Sequence, residues 1–201
     1  MRDAIKAHQS LYFKGRMLHR DISENNIILT DAKKTGFSGM LIDFDFVKEL
    51  DGWPVNPKLR TGTKEFMAIR VLRSIENTYR HDLESFFYVL LWQFIVRGWD
   101  FVGRKSPVGV SELHGWRAAS SLEHLARNKQ ANMDMECFED VLREFPVEFE
   151  RVKPFCRNLR TILFPVKDGA LFTGTPSDPA ALYGAVLEAF DEIIAKGRRD
   201  E

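Results

Sequence analysis

The chain has no charge to spare. Its 29 lysine and arginine residues match its 29 aspartate and glutamate residues, so the net charge is zero. Nothing electrostatic favours nucleic acid or an anionic membrane, and neither is expected as a partner. The basic stretch Lys196-Gly197-Arg198-Arg199 is offset in part by Asp200 and Glu201, and residues 197–201 read as a solvated, flexible tail. Cysteine is nearly absent. Cys137 and Cys156 lie in apolar helical patterns without metal-ligand spacing. They read as two buried thiols in a reducing compartment, so an intracellular location, cytoplasmic or nuclear, is expected. Residues 1–18 contain no continuous apolar core, and no secretory signal is expected there. The most apolar run, Phe86 to Val96, falls short of the ~20 residues a membrane span needs. It carries Gln93 inside and charges on both flanks, which suits a fully buried helix. Internal repeats and low-complexity segments are missing too.

What remains is an ordinary globular pattern. A chain of 201 residues makes one domain or one large lobe over 1–201. Ile5, His8, Leu11 and Tyr12 share one face of a helix expected over 3–14, which Gly15 ends. Ile27–Leu29 and Phe37–Asp43 read as the strands of a hairpin, joined by a turn-rich 31–36. Residues 44–62, with Gly52, Pro54, Pro57 and Gly62, read as a functional loop. Helices are expected over 66–74, 82–97, 112–132, 135–145, 147–163 and 178–196, the last opened by Asp178-Pro179. The expected fold is mostly α with a small β-hairpin.

The chemistry concentrates near the hairpin. His19-Arg20-Asp21-Ile22-Ser23-Glu24-Asn25-Asn26 is followed by Leu41-Ile42-Asp43-Phe44-Asp45. Taken singly, Asp21 and Asn26 are turn formers and Asp43 merely ends a strand. Taken together, they meet the needs of phosphoryl transfer. Asp21 can accept a hydrogen bond from an incoming hydroxyl. Asn26 can offer a neutral amide oxygen to a cation, and Asp43 a carboxylate. Such hard oxygen donors suit Mg²⁺. The mixed set also avoids crowding three full charges, which would raise a carboxylate pKa. His19 reads as a ring packed under the loop. His81 reads as a helix-start hydrogen-bonder, and Trp92, Trp99 and Trp116 as core or groove aromatics. His114 and His124 do not have the spacing of a metal pair.

At these residues the sequence resembles the catalytic lobe of a eukaryotic-type protein kinase, most closely the fungal-type protein kinase family. The resemblance rests on His19-Arg20-Asp21-Ile22-Ser23 with Asn26, on Leu41-Ile42-Asp43-Phe44-Asp45, on Thr61-Gly62-Thr63 with Phe66-Met67-Ala68, and on His81-Asp82-Leu83-Glu84-Ser85-Phe86. Trp116, Lys129 and Leu163-Phe164 are similar to the family's C-terminal half. The resemblance implies a kinase-like C-terminal lobe with an activation-type loop over 43–70. It implies Asp21 as catalytic base, Asn26 and Asp43 as holders of Mg²⁺ and ATP, and Arg20 as reader of an activation-loop phosphate. Thr63 would lie in the substrate loop near Asp21. Asp82, at the start of a buried helix, would brace the His19–Asp21 backbone, with His19 and Phe44 as further support. The implied activity is ATP-dependent phosphorylation of serine or threonine in a protein substrate.

Departures qualify that picture. Ser23, counted among the catalytic residues, stands where most protein kinases carry lysine; it can donate one hydrogen bond to a phosphate but brings no charge, a feature the fungal-type family looks to share. Asp45 replaces the glycine of Asp-Phe-Gly. Ile69-Arg70 replaces Pro-Glu, so the usual buried ion pair must be rewired or solvent-exposed. Residues 44–60 contain no serine, threonine or tyrosine, leaving Thr61 as the one candidate phosphate acceptor before Gly62-Thr63. Arg20 is therefore expected to meet a carboxylate such as Glu49 or Asp51. No Gly-rich loop or Lys-bearing strand precedes Asp21 in these 201 residues. The expectation is a lobe without its N-terminal partner, weak or incomplete alone, exposing an apolar face to a separate lobe or partner. Two other functions fit: a non-catalytic kinase-like binding module, or a small-molecule phosphotransferase of choline or aminoglycoside kinase type.

Overall fold

The computed structural model describes residues 1–52, 62–104, 111–197 and 199. Among the described residues the fold is mostly helical with three small antiparallel sheets. Helix α1 (Arg2–Phe13) leads into strand β1 (Met17–Leu18). A 3₁₀ turn at Glu24–Asn26 opens β2 (Ile27–Leu29), followed by the one-turn α2 (Ala32–Thr35), β3 (Gly39–Leu41) and β4 (Lys48–Glu49). Next come a second 3₁₀ turn (Lys64–Phe66), α3 (Ile69–Leu72) and α4 (Tyr79–Trp92). A π turn at Gln93–Arg97 joins α4 to α5 (Gly98–Phe101). The C-terminal half holds α6 (Glu112–Ala118), α7 (Leu122–Asn132), α8 (Met135–Arg143), a 3₁₀ stretch (Val147–Val152) and α9 (Lys153–Leu163). The hairpin β5 (Val166–Lys167) and β6 (Ala170–Leu171) precedes α10 (Pro179–Gly197).

Helix α4 is the axis of the core. All of its residues are buried, as an apolar run without a polar face requires. Two of its buried charges, Arg80 and Glu84, are paired with each other one turn apart. Glu84 also accepts from the Tyr88 hydroxyl at 2.6 Å and the Ile69 N–H at 2.8 Å. Arg80 donates to the Leu163 carbonyl at 2.7 Å and lies over the Phe164 ring. Burial pulls the Arg80 guanidinium down to about 10, which still leaves it charged at neutral pH. The ion pair expected after Met67-Ala68 is thus rewired. Helix α4 supplies both partners, and residue 69 contributes only its N–H.

Several local readings need correction. Cys137 is exposed, and only Cys156 is buried. The helix expected over 112–132 breaks between Ala118 and Leu122, where Ser121 caps α7 by accepting from the His124 N–H at 3.1 Å. The 178–196 expectation matches α10 to within a residue. No helix among the described residues is long and apolar enough to cross a membrane. Thr61 and tail residues 198, 200 and 201 lie outside the described residues.

Candidate phosphoryl-transfer site

The β2–β3 pairing sets the site's frame. Ile27 pairs with Leu41 and Leu29 with Gly39, and the ladder is extended by the Ile42 N–H donating to the Asn26 carbonyl at 3.1 Å. Asn26 and Asp43 therefore lie at the same end of the hairpin. The Asn26 amide nitrogen donates to the Asp21 carbonyl oxygen at 2.9 Å and to Asp21 Oδ2 at 3.1 Å. Both amide protons are thus spent on Asp21, and the amide oxygen is turned away from it.

The other Asp21 oxygen, Oδ1, accepts from the Thr63 N–H at 3.0 Å and the Thr63 hydroxyl at 3.4 Å. Gly62 makes that approach possible. Its φ is +104°, and a Cβ there would stand 2.9 Å from the Arg20 carbonyl oxygen and 3.2 Å from Asp21 Oδ1. The following segment is fixed by Lys129, which donates to the Met67 carbonyl at 2.7 Å. The Lys129 ammonium is buried against the Tyr88 and Trp116 rings, 3.9 and 4.8 Å from their centroids. Burial holds its pKa well below the ordinary lysine value.

The His19–Asp21 backbone hangs from Asp82. Oδ2 of that carboxylate accepts from the His19 N–H at 3.0 Å and the Arg20 N–H at 3.3 Å. It also meets His8 Nε2 at 2.9 Å, and Oδ1 accepts from Asn77 at 3.1 Å. Burial alone would raise the Asp82 pKa. The hydrogen bond and charge of His8 and the Arg20 N–H outweigh it, so the group stays ionised. Arg20 adopts a left-handed backbone, φ +68°, while bonding to Asp82. His19 is fully buried, and its Nε2–H donates to the Ile42 carbonyl at 3.1 Å. Burial lowers its pKa, so the ring is neutral and structural. Phe44 lies against that ring with centroids 5.4 Å apart, yet remains 53% exposed.

Asp43 is exposed and left-handed, φ +63°, and its Oδ1 accepts from the Asp45 N–H at 3.3 Å. Asp45 does not share that conformation, so a glycine is not required there. Ser23 is buried before the 3₁₀ turn. Its neighbour Glu24 pairs with Arg97 at 2.8 Å and Gln93 at 3.0 Å, which gives the polar residue of the apolar run its partner. The expected contact between Arg20 and Asp51 is not present. Asp51 meets Arg16 through two hydrogen bonds at 2.9 and 3.1 Å, and Arg20 reaches the Phe46 carbonyl at 3.5 Å. The pairing of β1 with β4 carries Asp51 past the Arg16 carbonyl, where Leu50 N–H donates at 2.8 Å, so the nearer arginine takes the carboxylate.

Three residues of this network were not singled out as site residues by sequence: His8 and Asn77, the side-chain partners of Asp82, and Tyr183 behind His8. The available signal was a histidine on the buried face of α1.

Residues 1–94 match the fungal protein kinase family. A probable serine/threonine-protein kinase from Dictyostelium discoideum is 34% identical over 92 residues, covering 45% of this chain and 20% of that protein. The match thus spans a fifth of that relative's length. The aligned part contains α1, the loop with Asp21 and Asn26, the hairpin ending at Asp43, and the α4 carboxylates. Over residues 1–94, just under half of its length, this chain is similar to the fungal protein kinase family, which supports the family resemblance read from the sequence.

Proposed function

We propose that the chain is a kinase-like C-terminal lobe whose site serves ATP-dependent phosphorylation of serine or threonine in a protein substrate. The observation that carries this reading is the Asp21 carboxylate, held between Asn26 and Thr63 on a loop suspended from buried Asp82. A base for an incoming hydroxyl needs fixed orientation, and three donors to the carboxylate supply it: the Asn26 amide, the Thr63 N–H and the Thr63 hydroxyl. In the transfer, the hydroxyl oxygen bonds to the γ-phosphorus, its proton passes toward Asp21, and ADP leaves.

The donor set also fits a divalent cation. Among the described residues no group of three or more His, Cys, Asp or Glu could hold a metal alone. An Asn amide oxygen and an Asp carboxylate at one hairpin end suit Mg²⁺, which keeps waters and takes its remaining ligands from phosphates. Mg²⁺ would offset phosphate charge there, with Asn26 and Asp43 as its protein ligands. Phe44 and Phe46, 53% and 42% exposed beside Asp43, suit a covering lobe or partner on the nucleotide side.

Calorimetric titration with Mg²⁺–ATP tests this reading. Saturable binding by the chain, abolished in Asp43→Ala, is the expected result. No binding at millimolar nucleotide would count against it and favour a non-catalytic module.

A further inference from the structure

The Asp82 carboxylate is approached from one side by the loop it holds and from the other by His8. His8 is fully buried on α1, with Nε2 2.9 Å from Asp82 Oδ2. Its other ring nitrogen, Nδ1, lies 2.7 Å from the hydroxyl of Tyr183 on α10, which is also fully buried. The chemistry of the carboxylate fixes the polarity of the first link. An ionised carboxylate only accepts, so Nε2 carries the proton. Nδ1 and the Tyr183 hydroxyl share the second hydrogen bond, which ties the ring to α10 with either atom as donor. The phenol is fixed in turn by its ring, which stacks on Tyr79 at 5.8 Å and tilts against Tyr12 at 6.1 Å. The series runs without a gap from α10 through α1 and α4 to the N–H groups of His19 and Arg20. Tyr183 lies outside the residues that match the kinase family.

We propose that Tyr183 is a positioning residue for the His19–Asp21 loop: through His8 it locks the Asp82 carboxylate against the two loop N–H groups, so that α10 sets the geometry of the Asp21 base. The part of this that concerns catalysis rests on the proposed function. The part that concerns loop geometry does not.

Tyr183→Phe removes one hydroxyl and keeps the ring. Hydrogen exchange of individual amides is the readout, with Leu91 on α4 reporting global opening. Exchange at the His19 and Arg20 amides should speed up about tenfold, the loss of one buried hydrogen bond, while Leu91 changes far less. Tyr79→Phe is the matched control. It deletes a hydroxyl of the same aromatic cluster, bonded to the Pro176 carbonyl at 2.6 Å, and should leave the loop amides unchanged. In a His8→Gln background, Tyr183→Phe should add nothing at His19 and Arg20. Equal acceleration at Leu91, no acceleration at the loop, or full additivity with His8→Gln would overturn the relay. Where phosphoryl transfer is measurable, Tyr183→Phe should lower kcat and leave the nucleotide KM unchanged. Binding and transfer absent from the unmodified chain would sink the proposed function, while the exchange data would still decide the relay.

Discussion

The His19–Asp21 loop hangs from a buried carboxylate, whereas the segment from Asp43 to Gly52 is tied down at the surface. Asp82 gives the first loop two backbone hydrogen bonds in the interior, backed by His8 and Asn77. The second segment relies on the two-residue ladder of β4 with β1, on Arg16–Asp51 and on Lys48–Glu76. Both arginine and aspartate of the Arg16–Asp51 pair are more than half exposed, at 57% and 72%. Exposed pairs are screened by water and salt and hold little. Buried charge-assisted bonds are individually stronger, and costly to break one partner at a time. The difference teaches where this chain is preorganised. Asp21, proposed as the base, is held by the core, while the carboxylate proposed to hold the metal is presented on a strand end with only a short turn of its own.

The comparison breaks most severely at Asp82. Asp82→Ala leaves the His8 ring and two backbone N–H groups without their acceptor, and should cost at least about 3 kcal/mol in a denaturant titration. Lys129→Met comes next. It fills the cage between Tyr88 and Trp116 but abandons the Met67 carbonyl. A loss of about 1–2 kcal/mol is expected, with faster amide exchange at Thr63.

A pH effect of about 1 kcal/mol follows from His81 at the start of α4. Burial, with Arg80 beside it, lowers His81 to about 3, against 6.5 for the free side chain. Between those values the unfolded chain binds the extra proton, so stability falls as pH drops through the window. The loss between about pH 6 and pH 5 should be about 1 kcal/mol. His81 also accepts the Thr78 N–H at 3.1 Å in a capping box. His81→Gln keeps an acceptor at that position and should flatten the slope measured by unfolding across this range. The smallest effect belongs to the other side of the comparison. Asp51→Ala should leave the unfolding midpoint where it is, and a measurable drop would show that the surface tie matters more than its exposure implies.

Much of this contrast was legible in the sequence because it rests on spacing. Asp21, Asn26 and Asp43 announce themselves, and the apolar run after Asp82 forecasts a helix buried on every side. The partners were not legible, because they come from distant elements. His8 and Asp82 lie 74 residues apart, and Tyr183 lies 175 residues from His8. Periodicity places each on a buried face but does not say which buried polar group it meets. Asp51 went to Arg16 instead of Arg20 because the β1–β4 register, invisible in two-residue strands, decides which arginine is near. Glu84 stands within a motif, but its pairing with Arg80 at one helical turn requires α4 to begin at Tyr79, ahead of the helix start expected at residue 82.

The most direct test is amide hydrogen exchange of the unmodified chain with and without Mg²⁺–ATP. The account predicts that His19 and Arg20 are protected in both states, while Asp45 to Leu50 exchange readily alone and slow on binding. Rapid exchange at His19 and Arg20 in the free chain, with protection appearing there only when nucleotide is added, would contradict it.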